Sequence, residues 1–197
     1  MIVPLNTARL HLEPLGIEDA DAIQALFPKW EIVRYLTDGV PWPYPPDGAI
    51  RFIRDQALPA MQREEAWHWT LRPATEPDRI IGAISLMKGD ENNRGFWLDP
   101  AWQGRGLMME AVAAVTRFWF ETLGFPRLRV PKAAANLPSR RISEHSGMRL
   151  VEVRDAAHVS GLLPMEIWEI TSQEWQGWSQ PRDGSRTQAG PLSREES

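Results

Sequence analysis

The chain has no cysteine. That excludes a disulfide framework, a thiol nucleophile and a cysteine-ligated metal. Its four histidines, His11, His68, His145 and His158, are scattered, and no H-E-x-x-H pair occurs, so no metal is expected. No apolar run of about 18 residues is present, so no membrane helix is expected. The amino terminus, MIVPLNTARL, lacks the charged-then-apolar layout of a secretory signal. A cytoplasmic protein free of membrane is the expectation. Excess positive charge is also missing: 22 Lys and Arg against 26 Asp and Glu give −4, which argues against bulk nucleic-acid binding.

What the chain does have is 197 residues, enough for one sizeable core, and an unusual ten tryptophans. Most of these are expected in the core, with a few left to line an acceptor pocket. Residues 1–178 read as one domain. The remainder, 179–197, is polar, contains Pro, Gly and Ser, and is expected to be a disordered tail.

The organising stretch is Asn93–Gly124. Gly95–Asp99 is a short apolar and aromatic run suited to a buried strand, ended by Pro100. Gln103-Gly104-Arg105-Gly106 follows. From Leu107 the residues Met108, Ala111, Val112, Val115, Phe118, Trp119 and Leu123 recur at three- and four-residue steps, the pattern of one helix face. Gly124 and Pro126 stop that helix. A glycine-rich turn opening a helix suits an anion. The first N–H groups lack intrahelical partners, the dipole is positive there, and glycines leave room for a ligand. Arg105 adds charge. The P-loop pattern is absent, and G-x-G-x-x-G fails because Met109 stands at its third glycine. An ordinary turn before a core helix is the alternative reading of these residues.

Around this stretch, Thr7–Leu15 alternates as a half-buried strand. Glu18-Asp19 opens a short helix, and Lys29–Leu36 reads as another. Thr37–Pro46, TDGVPWPYPP, is a rigid loop whose prolines forbid helix. Gly48–Arg63 is helical, and Pro59 is expected to kink or split it. Ala66–Pro73 and Arg79–Met87 read as antiparallel strands. Arg127–Lys132 is a strand weakened by Pro131. Asn136–Gly147 is a helix with Asn136 as N-cap and Ile142 as its one clearly inward residue. Met148–Val153 and Pro164–Thr171 are the last strands.

Four segments in this order carry a family resemblance. Gln103-Gly104-Arg105-Gly106-Leu107-Met108 resembles the coenzyme A pyrophosphate motif Q/R-x-x-G-x-G/A of the GNAT acyltransferases. PWPYP is similar to the proline-aromatic loop of their RimJ/RimL group. Asn136-x-x-Ser139 with Glu144-His145-Ser146-Gly147-Met148 resembles N-x-x-S…E-x-x-G-F. EIWEITSQEW resembles the group's final strand and terminal T-x-x-E-W.

The resemblance implies an α+β fold, with a splayed mixed sheet of six to seven strands flanked by helices. It implies an N-acetyltransferase using acetyl-CoA as cosubstrate, with direct attack of a primary amine and no metal. The backbone of Phe96, Trp97 and Leu98 would hold pantetheine, joined by Asn136 and Ser139. Gln103, Gly104, Arg105, Gly106, Leu107 and Met108 would hold the pyrophosphate, and Arg140 or Arg141 would add charge. Met108 stands where the family has a small residue, which bears on approach to that one amide. The usual tyrosine acid is replaced by Ser143, so Ser139 is expected to serve the leaving thiolate. His158 is the expected base, with Glu13, Glu152, Glu166 and water as alternatives. The acceptor is expected to be a protein N-terminal amine. A small amine such as a polyamine, amino sugar or antibiotic stays open because Glu31, Asp38 and Asp47 flank the aromatic loop. A catalytically silent acyl-CoA-binding module and a homodimer are further expectations.

Overall fold

The computed structural model describes residues 2–179; the expected tail from residue 180 onward lies outside the described residues. The chain opens with two strands, β1 (Leu5–Asn6) and β2 (Leu10–Pro14). Short helices α1 (Ala20–Leu26) and α2 (Trp30–Val33) follow. α2 is shorter than the Lys29–Leu36 expectation. The proline-aromatic loop, with a cis Trp42–Pro43 bond, then leads to α3 (Gly48–Phe52).

α3 continues without a break through a wider π turn, Ile53–Ala57, into α4 (Leu58–Gln62). Pro59 therefore neither splits nor ends the helix. The Leu58 N–H reaches back five residues to the Ile53 carbonyl. That wider turn accommodates a residue that has no N–H and whose ring crowds the preceding turn.

β3 (Ala66–Pro73), β4 (Gly82–Met87) and β5 (Arg94–Leu98) complete an antiparallel sheet ordered β1-β2-β3-β4-β5. β3 is its middle strand and is buried along nearly all its length, because both faces are covered. Trp67 and Trp69 point toward α5 (Leu107–Arg117), where Trp69 meets Phe118 at 5.4 Å. His68 points the other way and meets Phe52 at 5.9 Å. Core therefore lies on both faces. The larger cluster includes Trp67, Trp69, Leu71, Val115 and Trp119, and the smaller one Leu15, Ile23, Ala49 and Ile53. Burying one such indole removes about 150–250 Å² from water, on the order of 4–6 kcal/mol of gross hydrophobic stabilisation. Five of the ten tryptophans, Trp67, Trp69, Trp119, Trp168 and Trp175, are core, and Trp97 and Trp102 pack against it. Trp30 and Trp42 are exposed and lie 5.6 Å apart.

α5 also ends in a π turn, Phe118–Thr122, and Gly124 at φ +71° turns the chain out of it. The second sheet has β6 (Arg127–Ala133), β8 (Gly161–Thr171) and β7 (Arg149–His158) in the order β6-β8-β7. α6 (Leu137–His145) lies between β6 and β7, and α7 (Ser172–Ser179) follows β8. The domain boundary expected after residue 178 falls in the last turn of α7. The α+β splayed fold is present; the described residues form eight strands in a five-plus-three division rather than six to seven, and every paired strand is antiparallel rather than mixed.

The two sheets meet at one place. The Asn93 N–H donates to the Arg129 carbonyl at 2.8 Å, and the Arg129 N–H donates to Asn93 Oδ1 at 2.8 Å. Beyond that junction no backbone hydrogen bond joins β5 to β6 among the described residues. Alternation then explains Pro131. Its N–H, like that of Arg129, would face the gap rather than β8, so its loss breaks no ladder bond.

Candidate active site

The glycine turn sits where β5 hands the chain to α5, beside the open edge. A short 3₁₀ turn, Pro100–Trp102, intervenes and is capped by Asp99, which accepts from the Ala101 N–H at 3.3 Å. Gly104 and Gly106 have φ of +75° and +76°, the left-handed region that glycine tolerates best. A Cβ at Gly104 would meet nothing within 4 Å, so this face of the turn is open. Met108 is buried in the main core. Its side chain therefore points away from the open face, and the substitution for a small residue does not obstruct the amide there.

The turn is held from several sides. Gln103 Nε2 donates to the Leu98 carbonyl at 2.9 Å, and Arg105 Nη2 donates to the Ala101 carbonyl at 3.0 Å. The Arg105 guanidinium lies 5.0 Å from the Trp102 ring centre. Arg9 is a brace that sequence reasoning missed. Its Nη1 donates to the Arg105 carbonyl at 2.9 Å while its Nε pairs with Glu110 at 2.7 Å. The contact joins residues about a hundred positions apart, and nothing local signals it.

On the other side of the gap, Asn136 caps α6 by accepting the Ser139 N–H at 3.3 Å. That use of Oδ1 leaves the side-chain NH₂ as a donor. Replacing Asn136 with alanine is expected to lower stability by about 1 kcal/mol, the usual worth of such a cap. Urea denaturation midpoints would check this.

Under α6 lies Lys132. It is 7% exposed, and its Nζ donates to the Ser139 carbonyl at 3.0 Å and to Ser143 Oγ. The same nitrogen is 3.5 Å from Ser139 Oγ. Burial, reinforced by the Arg94 guanidinium, holds the Lys132 ammonium well below its ordinary pKa. Arg94 is itself buried, has an unpartnered Nε, and is pushed down by burial to about 10. Ser143, rather than Ile142, is the fully buried residue of α6, because Lys132 needs its hydroxyl. Ile142 is only partly buried, at the edge of the core.

Ser139 and His158, expected as acid and base, sit on different elements. Ser139 is half-buried beside the gap. His158 is the last residue of β7, just before β8. It is buried, its Nδ1 lies 2.9 Å from the Ala156 carbonyl, and its backbone bridges Thr37. No hydrogen bond or ion pair joins it to Ser139 among the described residues. Of the alternative bases, Glu152 is exposed and paired with Arg154 at 2.9 Å. Glu166 is buried, accepts from Trp168 Nε1 at 2.9 Å and forms an ion pair with Arg140 at 3.3 Å. Arg140 is shared between Glu166 and Glu144, the latter at 3.1 Å.

A cavity of about 490 Å³ opens on the face of the first sheet opposite α5. Its walls come from β3, β4 and β5, from α1 and α3, and from the proline-aromatic loop. Phe27, Tyr44, Phe52 and Trp97 supply aromatic surface, while Gly95 and Phe96 connect it to the β5 edge. His68 and Ser85 form a polar pair on its floor, Nδ1 to Oγ 2.6 Å. Burial pushes the His68 imidazole down to about 4. Sequence reading left His68 without a role, since its burial depends on two elements brought over it from elsewhere in the chain.

A family model described as an acetyltransferase (GNAT) domain matches residues 9–149. The probable N-acetyltransferase YjcK of Bacillus subtilis is 33% identical over 92 residues, 44% of this chain. The chain spans only about half the length of YjcK, 50%, and 57% of a second Bacillus subtilis relative, the putative ribosomal N-acetyltransferase YdaF. RimL, a ribosomal L7/L12 α-N-protein acetyltransferase solved with coenzyme A, superposes with a TM-score of 0.74 at 15% identity, over 86% of this chain and 98% of RimL. The ribosomal-protein-S5-alanine acetyltransferase of Vibrio fischeri does so with 0.75 at 16% identity, over 88% and 99%. At these identities the structures speak for the fold alone.

Proposed function

The chain belongs to the GNAT acetyltransferase family, and from that premise we propose that it transfers an acetyl group from acetyl-CoA to a primary amine by direct attack. The observation that carries this reading is the open glycine turn at the head of α5, set beside a sheet that parts after Asn93. Space where a Cβ would stand, free first-turn amides and a positive helix end fit a pyrophosphate. Gln103–Met108 would hold it. Phe96–Leu98 on the unpaired edge of β5, with Asn136 and Ser139 opposite, would hold the pantetheine arm. Arg140 already shares its charge with Glu144 and Glu166, so the amides carry most of the anion binding.

Acetyl-CoA supplies the acetyl group and a thiolate leaving group. The amine nitrogen forms the new bond to the carbonyl carbon as the carbon–sulfur bond breaks. Of the two protons an ammonium loses on becoming an amide, one ends on the thiolate and one goes to solvent. A β5 backbone N–H would meet the developing oxyanion. Ser139 Oγ would hydrogen-bond the thiolate, with the Lys132 nitrogen behind it as the proton source. No carboxylate lines the cavity, and water is the proton acceptor in this reading. A RimJ/RimL-type enzyme acting on a protein N-terminus, cytoplasmic and dimeric, is the finer form of the proposal.

Two measurements test it. Mass spectrometry of acetyl transfer to a panel of N-terminal peptides, polyamines and amino sugars should yield an acetylated product; acetyl-CoA binding without product on any amine would leave a silent binder. Ser139→Ala should lower kcat by at least about 10-fold, below the 10²–10⁴ of a full general acid, and lower acetyl-CoA affinity by less than that. An unaltered kcat would remove Ser139 from the mechanism.

A further inference from the structure

The 490 Å³ cavity beside β5 has a wall chemistry that discriminates among amines. Its aromatic groups come from helix, loop and sheet alike. Its polar side chains, Thr37, Gln56, His68 and Ser85, carry no negative charge. Arg51 is the one cation on it, at the rim, 3.5 Å from the exposed Asp47. No aspartate or glutamate is among the lining residues. Glu31, Asp38 and Asp47, the acids that kept a polycationic acceptor open on sequence grounds, are all exposed and outside the lining.

We propose that the acceptor amine is the α-amine of a residue with a bulky apolar, above all aromatic, side chain received by this cavity, and that alkyl polyamines are rejected. The proposal rests on the acetyltransferase reading above and names its substrate class. Three physical points carry it. First, an ammonium entering a wall without a carboxylate loses hydration and gains no counter-charge. Second, the amine must therefore react from its uncharged form. An α-amine has a pKa near 8 and an alkyl amine one near 10.4, so the α-amine is uncharged roughly 200-fold more often at neutral pH. The buried imidazole of His68, pushed down to about 4, reports the same intolerance of positive charge at the floor. Third, the volume lies within the range of small-molecule sites, about 300–1,000 Å³. An alanine or serine side chain would leave most of it unfilled. A phenyl or indole group would contact Phe27, Phe52 and Trp97 while its backbone stays near Gly95–Phe96, at the edge of the gap.

The shared chemistry is an apolar residue with a free α-amine, whether a free amino acid or a peptide N-terminus. Calorimetry with the protein saturated in coenzyme A would measure binding of phenylalaninamide, alaninamide and spermidine, and mass spectrometry would follow acetyl transfer from acetyl-CoA to each. Phenylalaninamide should bind at least about 10-fold more tightly than alaninamide, as burial of a large apolar group predicts, and spermidine should show no saturable binding. Free phenylalanine and a Phe-Ala-Ala peptide, run beside them, identify the source, and preference for either upholds the proposal. Spermidine or alaninamide binding as tightly as phenylalaninamide would overturn it. The expected binding order without any acetylated product would uphold the acceptor site and overturn the acetyltransferase reading instead.

Discussion

Acetyl-CoA affinity is expected to fall by at least about 100-fold when Gly104 is replaced by glutamate. The position combines three properties. Its φ of +75° is one that side chains adopt at a cost, about 1–2 kcal/mol for a residue other than glycine. A Cβ there meets no atom within 4 Å, so the new side chain has room and the fold has no reason to rearrange. Finally, the carboxylate would stand at the positive end of α5, in the space assigned to a pyrophosphate. Two like charges brought together in that position cost several kcal/mol, more than the backbone strain. Gly104→Ala separates the terms, because it keeps the strain and omits the charge. Both variants should lose a similar, small amount of thermal stability. Calorimetric titration with acetyl-CoA should find the alanine variant far closer to wild type than the glutamate variant. Equal affinity in Gly104→Glu and wild type would show that the pyrophosphate lies elsewhere.

This turn was the most legible part of the site, for a reason specific to it. The role proposed for it depends on backbone amides and on the absence of side chains, and both are written locally as Gly104, Gly106 and the helical periodicity from Leu107. The limits of β3, Ala66–Pro73, were readable for the same kind of reason. What escaped the sequence depends on partners distant in the chain. Arg9 secures the turn through Glu110 and the Arg105 carbonyl. Lys132 read as the end of a strand, yet α6 folds over it and turns Ser143 inward in place of Ile142. Pro59 looked like a break because an ordinary α-turn cannot admit it; the π turn before it can. The last two strands run longer than the Met148–Val153 and Pro164–Thr171 expectations because the tip of the β7–β8 hairpin, His158 included, lacks an apolar pattern. The acceptor cavity was the least legible feature, since its wall is assembled from six separate parts of the chain and its decisive property is a missing charge.

His68 sets the second large effect, and it appears in stability rather than turnover. Its imidazole is 8% exposed, lies against Phe52, and hydrogen-bonds Ser85 at 2.6 Å. Burial lowers its pKa from 6.5 to about 4. In the unfolded chain the ring takes up its proton as pH falls through about 6.5, while in the folded protein it stays neutral until about 4. Between those values the unfolded state binds more protons, so folding stability falls as the pH falls. From the two pKa values the loss is about 2 kcal/mol between pH 7.5 and 5, and roughly 3 kcal/mol by pH 4. Above pH 7 the term vanishes. His68→Gln keeps a polar side chain against Ser85 but cannot gain the charge. Its unfolding free energy from urea titrations should therefore decline less steeply than that of wild type across this window, although it starts lower at pH 7.5 from imperfect packing. Carboxylates add to acid sensitivity in both proteins and cancel in the difference. Parallel curves for the two proteins from pH 7.5 to 4 would mean that the ring is charged in the folded state, and the cavity floor would then tolerate a cation after all.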